Sequence, residues 1–279
     1  MTTLHDAPVP AAPPSAGPRV PLGGLLLSEW TKIRTVRSTV WSLIAFAVVT
    51  IGASTLIASL IAANWNSPGN DAAHTLTTDP TSLVFGPGFF LGQLALGVLG
   101  VIVVSGEYST GAIRSSLLAV PGRLPMLAAK IIVFALLEIV ISAVMIFVVF
   151  FITTSIFSSH VSITISQPGM VGACIGAIFY LTVVGLFAMS VGGLIRHTAG
   201  AIATVVGIIL VVPSLIGLIP GTVAQHISAY FFTNAGVLVA QTHQQPGDLL
   251  SPWQGLGVFV LEVAILLAAG AWLLKRRDA

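Results

Sequence analysis

The sequence predicts an all-α integral membrane protein: six transmembrane helices, an N-terminal interfacial helix and one more short helix on the cytosolic side. Three observations predict this fold class. Of 279 residues, 56% are hydrophobic and only 7% are charged, whereas soluble domains carry roughly 25% charged residues. A chain of mean hydropathy +1.01 has too little polar surface to cover itself in water. Six stretches reach the length that spans a hydrocarbon core as a helix, about 20 apolar residues, and none alternates like a membrane β-strand. Finally, a six-span partition puts all 11 Lys and Arg residues on one side.

Residues 1–21 hold Pro8, Pro10, Pro13, Pro14, Pro18 and Pro21 among Ala and Val. They lack a basic region followed by an apolar core, so they read as a disordered cytosolic tail and not as a cleavable signal peptide. In residues 22–38, Leu22, Leu25, Leu26, Trp30, Ile33 and Val36 recur at helical spacing, and Glu29, Lys32, Arg34 and Arg37 take much of the remainder. A basic amphipathic helix with a Trp lies flat among lipid headgroups. Trp30, Lys32, Arg34 and Arg37 are then its membrane-interface anchors, and a merely solvated positive segment is the other reading.

The six-span domain covers residues 39–277. Its spans are expected at about 39–63, 83–104, 126–153, 169–195, 199–219 (with Pro213 near its end) and 255–274. Arg19, Lys32, Arg34 and Arg37 precede the first span, and Arg114, Arg123 and Lys130 lie between or just inside the second and third. Arg196 separates the fourth from the fifth, and Lys275, Arg276 and Arg277 follow the sixth. The opposite side carries Asp71, Asp79 and Asp248 and no Lys or Arg. The positive-inside rule places the basic side, and both termini, in the cytosol. Residues 220–254 fall outside. They are half apolar but too short to span, which fits either a re-entrant pair of short helices capping a translocation route or an ordinary structured loop.

Several chemistries find no support. There is no GxxxxGK[ST] phosphate loop and no HExxH. His74, His160, His226 and His243 are scattered through outside segments, His197 is alone at the cytosolic face, and His5 is in the tail. No basic patch interleaved with aromatics suggests nucleic acid. Cys174, the only cysteine, excludes internal disulfides and reads as a small apolar helix residue. No cofactor and no catalytic residue is expected in this chain.

Polar residues within the spans are the intrinsic candidates. Glu138 lies about 12 Å deeper than Lys130 at 1.5 Å per residue, and Glu262 sits in the sixth span. Intramembrane acids are costly and mark substrate or proton paths by default, although hydrogen bonding between helices is the alternative for both. Gln93 in the second span has the same two readings. Gly88–Gly92 and Gly172–Gly176 have the GxxxG spacing that permits close helix packing.

The stretch SGEYSTGAIRSSLLAVPGR, 105–123, is a polar island between greasy segments. Gly106 is expected to end the second span and Glu107 to begin a short amphipathic helix, 107–119, stopped by Pro121 and Gly122. Pro125 then falls in the first turn of the third span. Nineteen residues with a helix are more than a turn requires, so the stretch reads as a docking surface that exposes Glu107, Arg114 and Arg123.

Here the sequence resembles the ABC-2 type transporter permease family. The pattern is an acid, Thr-Gly, Pro, a basic residue and Lys, met by Glu107, Thr110, Gly111, Pro121, Arg123 and Lys130. LLLSEWTKIRTVRSTVW (25–41) is also similar to the interfacial helix of bacterial members, and the likeness extends over about residues 22–277. The large external domain of the longest members is missing. The resemblance implies the membrane half of an ATP-binding cassette exporter in the bacterial plasma membrane. Its partners would be a cytosolic ABC ATPase subunit, which binds the ATP and Mg, a second permease copy or sister permease, and the lipid bilayer. Residues 107–119 would be the coupling helix, with Glu107, Tyr108, Thr110, Gly111, Arg114, Pro121 and Arg123 in the ATPase-coupling role. A hydrophobic or amphipathic cargo suits the apolar spans. The competing readings are an ATPase-independent secondary transporter using intramembrane carboxylates and a non-transport membrane scaffold or immunity protein.

Overall fold

The computed structural model describes residues 21–67, 71, 75, 79–111 and 123–276. The predicted tail falls outside them, apart from Pro21. Among the described residues the regular structure is helical, without strands. The first helix, α1 (Leu22–Thr35), starts after Pro21 and is broken at Val36, whose backbone is extended (φ −78°, ψ 116°). The first span, α2 (Arg37–Ala63), follows directly. Arg37 and Ser38 therefore belong to the span and not to the helix expected over 22–38. Asp79 caps the short α3 (Pro80–Val84), where Pro80 takes the first position that proline tolerates. After a break at Phe85 comes α4 (Gly86–Ser109).

The chain resumes with α5 (Arg123–Phe157), α6 (Met170–Ile195) and α7 (Thr198–Ile216), which keeps Pro213 within its last turn. Two short helices follow, α8 (Thr222–Tyr230) and α9 (Phe232–Val237), and a 3-10 turn at Leu238–Ala240. The last helix is α10 (Pro252–Arg276). Six helices, α2, α4, α5, α6, α7 and α10, are long and apolar enough to cross a membrane, and they fall on the six predicted stretches.

The centre of the bundle is α6, buried on nearly every side from Ala173 to Gly192. It packs on α4, α5, α7 and α10, and α4 also packs on α2 and α7. A helix apolar all round belongs in such a position. Glycines set the spacing. A Cβ on Gly100 would lie 2.4 Å from the Gly185 carbonyl oxygen, so α4 and α6 touch backbone to backbone. Gly88 and Gly92 likewise face Ser54 and Thr50 of α2. The second GxxxG pair works on one side only: Gly176 abuts the Val239 carbonyl, whereas a Cβ on Gly172 would meet nothing within 4 Å.

The segment after α7 dips into the bundle. Val239 meets α6 at Gly176, Gly236 meets it at Tyr180, and the Phe232 ring stacks 4.5 Å from that of Phe187. These contacts step along α6 for 11 residues, about 16 Å of helix. Phe232 also lies 5.2 Å from Phe259 of α10. The second short helix, α9, and the 3-10 turn are thus shielded by protein, as backbone at membrane depth requires, whereas α8 is mostly exposed and buries only Ala224.

Candidate functional site

Leu25, Glu29 and Ile33 follow one another every four residues on α1, and all three are buried. They form the face that α1 lays on α5. Leu25 and Ile33 supply apolar area, and Glu29 between them needs a partner. Lys130, two turns into α5, provides it: its Nζ is 2.5 Å from Glu29 Oε2. The same ammonium donates to Glu107 Oε1 at 2.7 Å, in the last turn of α4. Lys32 closes the circuit, 2.6 Å from Glu29 Oε1 and 3.1 Å from Glu107 Oε1.

The four charges alternate around a ring, Glu29–Lys32–Glu107–Lys130, which is neutral as a unit. Glu29 and Lys130 are nearly excluded from solvent, with side chains 2% and 5% exposed, so neither is stable there unpaired. Lys32 sits at the rim. Burial pushes its pKa down, but the Glu29 hydrogen bond and the Glu107 and Glu29 charges outweigh that, and the net shift is upward. A raised lysine stabilises the fold fully below its ordinary value near 10.5 and loses that contribution only as pH rises through the higher folded value. The Lys32 arm of the ring therefore persists at physiological pH.

A second contact ties in α6. Its last residue is followed by Arg196, in the left-handed conformation (φ 59°), whose guanidinium lies 5.0 Å from the centre of the Tyr108 ring. The ends of α4, α5 and α6 thus meet α1, through Glu29 and Lys32, around Glu107 and Tyr108.

This geometry corrects the expectation for the start of the polar island, residues 105–111. Gly106 does not end the second span. The helix runs on to Ser109, and Gly111, at φ +71°, turns the chain. A lone helical glycine costs only about 1 kcal/mol relative to alanine, and the ring holds Glu107 in the next turn. The left-handed glycine after the last turn is the usual helix stop. Glu107 is consequently drawn inward, its side chain 12% exposed, and is not displayed on a separate helix. The Thr110 hydroxyl returns to the Gly106 carbonyl at 2.8 Å. Of the other predicted coupling positions, Arg123 opens α5, and Arg114, Pro121 and the rest of 112–119 lie outside the described residues.

Among the predicted interface anchors, Trp30, Arg34 and Arg37 are exposed, but Lys32 is engaged in the ring. Sequence reasoning missed Glu29 by placing it on the polar face. The available signal was its position four residues from both Leu25 and Ile33, on the face those residues bury.

The intramembrane candidates do not converge. Gln93 Oε1 accepts a hydrogen bond from the Tyr180 hydroxyl at 2.7 Å, linking α4 to α6. Glu262 is half-buried on α10. Glu138 is fully buried, neither carboxyl oxygen has a hydrogen-bond partner among the described residues, and its side chain packs on Gly185. Replacing an unpartnered buried polar group by an apolar one of similar shape is nearly neutral. Glu138→Leu is thus expected to unfold within about 1 kcal/mol of the parent in detergent, and a much larger loss in a thermal or denaturant titration would show that the carboxyl is bonded in the fold.

At the opposite end, Asp79 holds two distant segments together. Its Oδ1 accepts from the Thr242 hydroxyl at 3.0 Å and the Thr242 amide at 3.3 Å, and its carboxylate also takes the Thr81 hydroxyl at 2.8 Å. Thr242 in turn presses on Gly169, where a Cβ would lie 2.2 Å from its carbonyl oxygen. Asp79→Ala is expected to lose about 2 kcal/mol of stability, from a helix cap and charge-assisted hydrogen bonds. Hydrogen exchange should locate the loosening at 238–243.

No model of a known protein family matches the chain, and comparison with curated proteins finds no significant match.

Proposed function

We propose that this chain is the transmembrane permease subunit of an ABC-2 type ATP-binding cassette exporter, driven by a separate cytosolic ATPase. Its basic end faces the cytosol, a second permease copy or a sister permease completes the pathway, and the cargo is hydrophobic or amphipathic. The observation that carries the reading is the ion ring. It fastens α1 to the last turn of α4 and to α5, the two elements that flank the polar stretch 110–122 in the sequence. A force applied to that stretch by closure of an ATPase pair would reach three helices at once through short, desolvated contacts. ATP and Mg would be bound by the partner, and this chain would supply the lever and the pathway.

The test is reconstitution of the full chain with an ATPase encoded beside it. ATP-dependent transport and a stable complex are expected. Arg114→Glu, within that stretch, should weaken ATPase association about tenfold or more, the cost of a lost or reversed charge pair at an interface, and leave the thermal stability of the isolated chain unchanged. Undiminished association and transport in this variant would remove the docking role from the stretch.

One observation favours a second reading, a proton-coupled secondary transporter: the buried, unpartnered carboxyl of Glu138. Transport by the chain alone in response to a pH gradient, lost in Glu138→Gln, would establish it.

A further inference from the structure

A concave groove of about 470 Å³ lies between α1 and α5. On the α1 side it is lined by Gly23, Leu26, Leu27 and Trp30, and on the α5 side by residues that include Leu136 and Val140. The lining is apolar, and its size is that of a small-molecule site. Leu27, Trp30, Leu136 and Val140 are all exposed. The groove lies beside the ion ring but shares no residue with it: Glu29 and Lys130 are on the face where α1 and α5 touch, and the groove opens where they part.

Arg34 is four residues beyond Trp30, so the two share a face of α1. Arg34 is exposed and forms no ion pair among the described residues. An apolar slot beside membrane-length helices, with an exposed guanidinium one turn past its end, has the two halves of a lipid site. The slot matches a hydrocarbon chain. The guanidinium matches a phosphate, to which it can donate two parallel hydrogen bonds.

We propose that this groove binds an anionic glycerophospholipid of the surrounding bilayer, with an acyl chain against Trp30, Leu136 and Val140 and the phosphate on Arg34. The site is independent of any ATPase and follows from membrane residence alone. It gives α1 a lipid-dependent seat on α5 and makes the packing of the first helix sensitive to bilayer charge. The preference for an anionic over a zwitterionic headgroup is on the order of fivefold for one cation at the bilayer surface.

Brominated acyl chains quench a tryptophan that they touch, and Trp30 is a built-in reporter. The full chain is reconstituted in phosphatidylcholine vesicles containing increasing fractions of brominated phosphatidylglycerol or brominated phosphatidylcholine. The Trp30 contribution is obtained as the difference from Trp30→Phe. Quenching is expected to half-saturate at about fivefold lower mole fraction for phosphatidylglycerol. Arg34→Gln should bring the two lipids together while leaving acyl contact intact. Gly23→Leu, which extends into open space and favours the helix, should reduce quenching by both lipids without loss of thermal stability. Equal half-saturation by the two lipids in the parent protein would overturn the proposal, as would an unchanged preference in Arg34→Gln. Absence of Trp30-dependent quenching together with a dimer in sedimentation would overturn it in favour of a second copy covering the groove.

Discussion

Replacing Lys130 with methionine is expected to destabilise the protein by about 3–5 kcal/mol, the cost of stranding a buried charge. Glu29 would lose its 2.5 Å partner, and Glu107 its shorter one. Glu29, with a 2% exposed side chain, has no route to solvent. Lys32 alone cannot compensate, because it serves both acids from the exposed rim. The comparison that isolates the ring is a double-mutant cycle. Glu29→Gln and Lys130→Met should each be costly, and the pair together should cost clearly less than the sum, because removing both charges removes the stranded one. Denaturant titration in detergent, read at α1 by the Trp30 fluorescence taken as the difference from Trp30→Phe, checks this. Additive losses would mean that the two residues stabilise the fold independently. In the proposed exporter, the double variant would also be folded yet uncoupled: ATP hydrolysis by the partner would continue and transport would fall.

Gly100→Val is expected to cost about 3 kcal/mol, at the upper end of what overpacking a close interface does. The Cβ alone would lie 2.4 Å from the Gly185 carbonyl oxygen and 3.0 Å from the Met189 amide nitrogen. Both are backbone atoms of the central helix, so no side-chain rotation relieves the contact, and α4 must move away from α6. The control is Gly52→Ala on α2, where a Cβ meets nothing within 4 Å. That variant should be neutral or gain up to about 1 kcal/mol from helix propensity. Parallel thermal unfolding of the two proteins distinguishes close packing from a generic effect of adding a methyl group. Equal behaviour would show that α4 and α6 are not in backbone contact.

Local pattern was enough where the determining quantity is local. Each span needs only its own run of apolar residues, so span number and approximate ends were legible, including the short run that begins at Thr198 and keeps Pro213. The stop of the second span was misplaced for the same reason. Gly106 and Gly111 look alike in the sequence, and the difference is that Gly111 takes φ +71° while Glu107 is held by lysines on two other helices. The glycine pairs show the same limit. Gly88 and Gly176 make close contacts and Gly172 makes none, and spacing alone cannot say which face of a helix meets a neighbour. The motif that pointed to an ATPase partner contains both Glu107 and Lys130, and these two residues bond to each other. Part of its charge therefore serves the fold, which leaves Arg114 as the better position at which to test docking.

By itself, the sequence determined that the chain has six segments long and apolar enough to cross a membrane, with its Lys and Arg partitioned to one side of them, because hydrocarbon thickness and the cost of burying charge act on each segment separately. Only the tertiary structure decided that Glu29 is a buried partner and not a surface acid, since its buried lysine partner, Lys130, is 101 positions away in the chain. Likewise, only the fold parted α1 from α5 to open an apolar groove below Arg34. Ion pairing and groove shape depend on distances between segments, and those are set by helix packing.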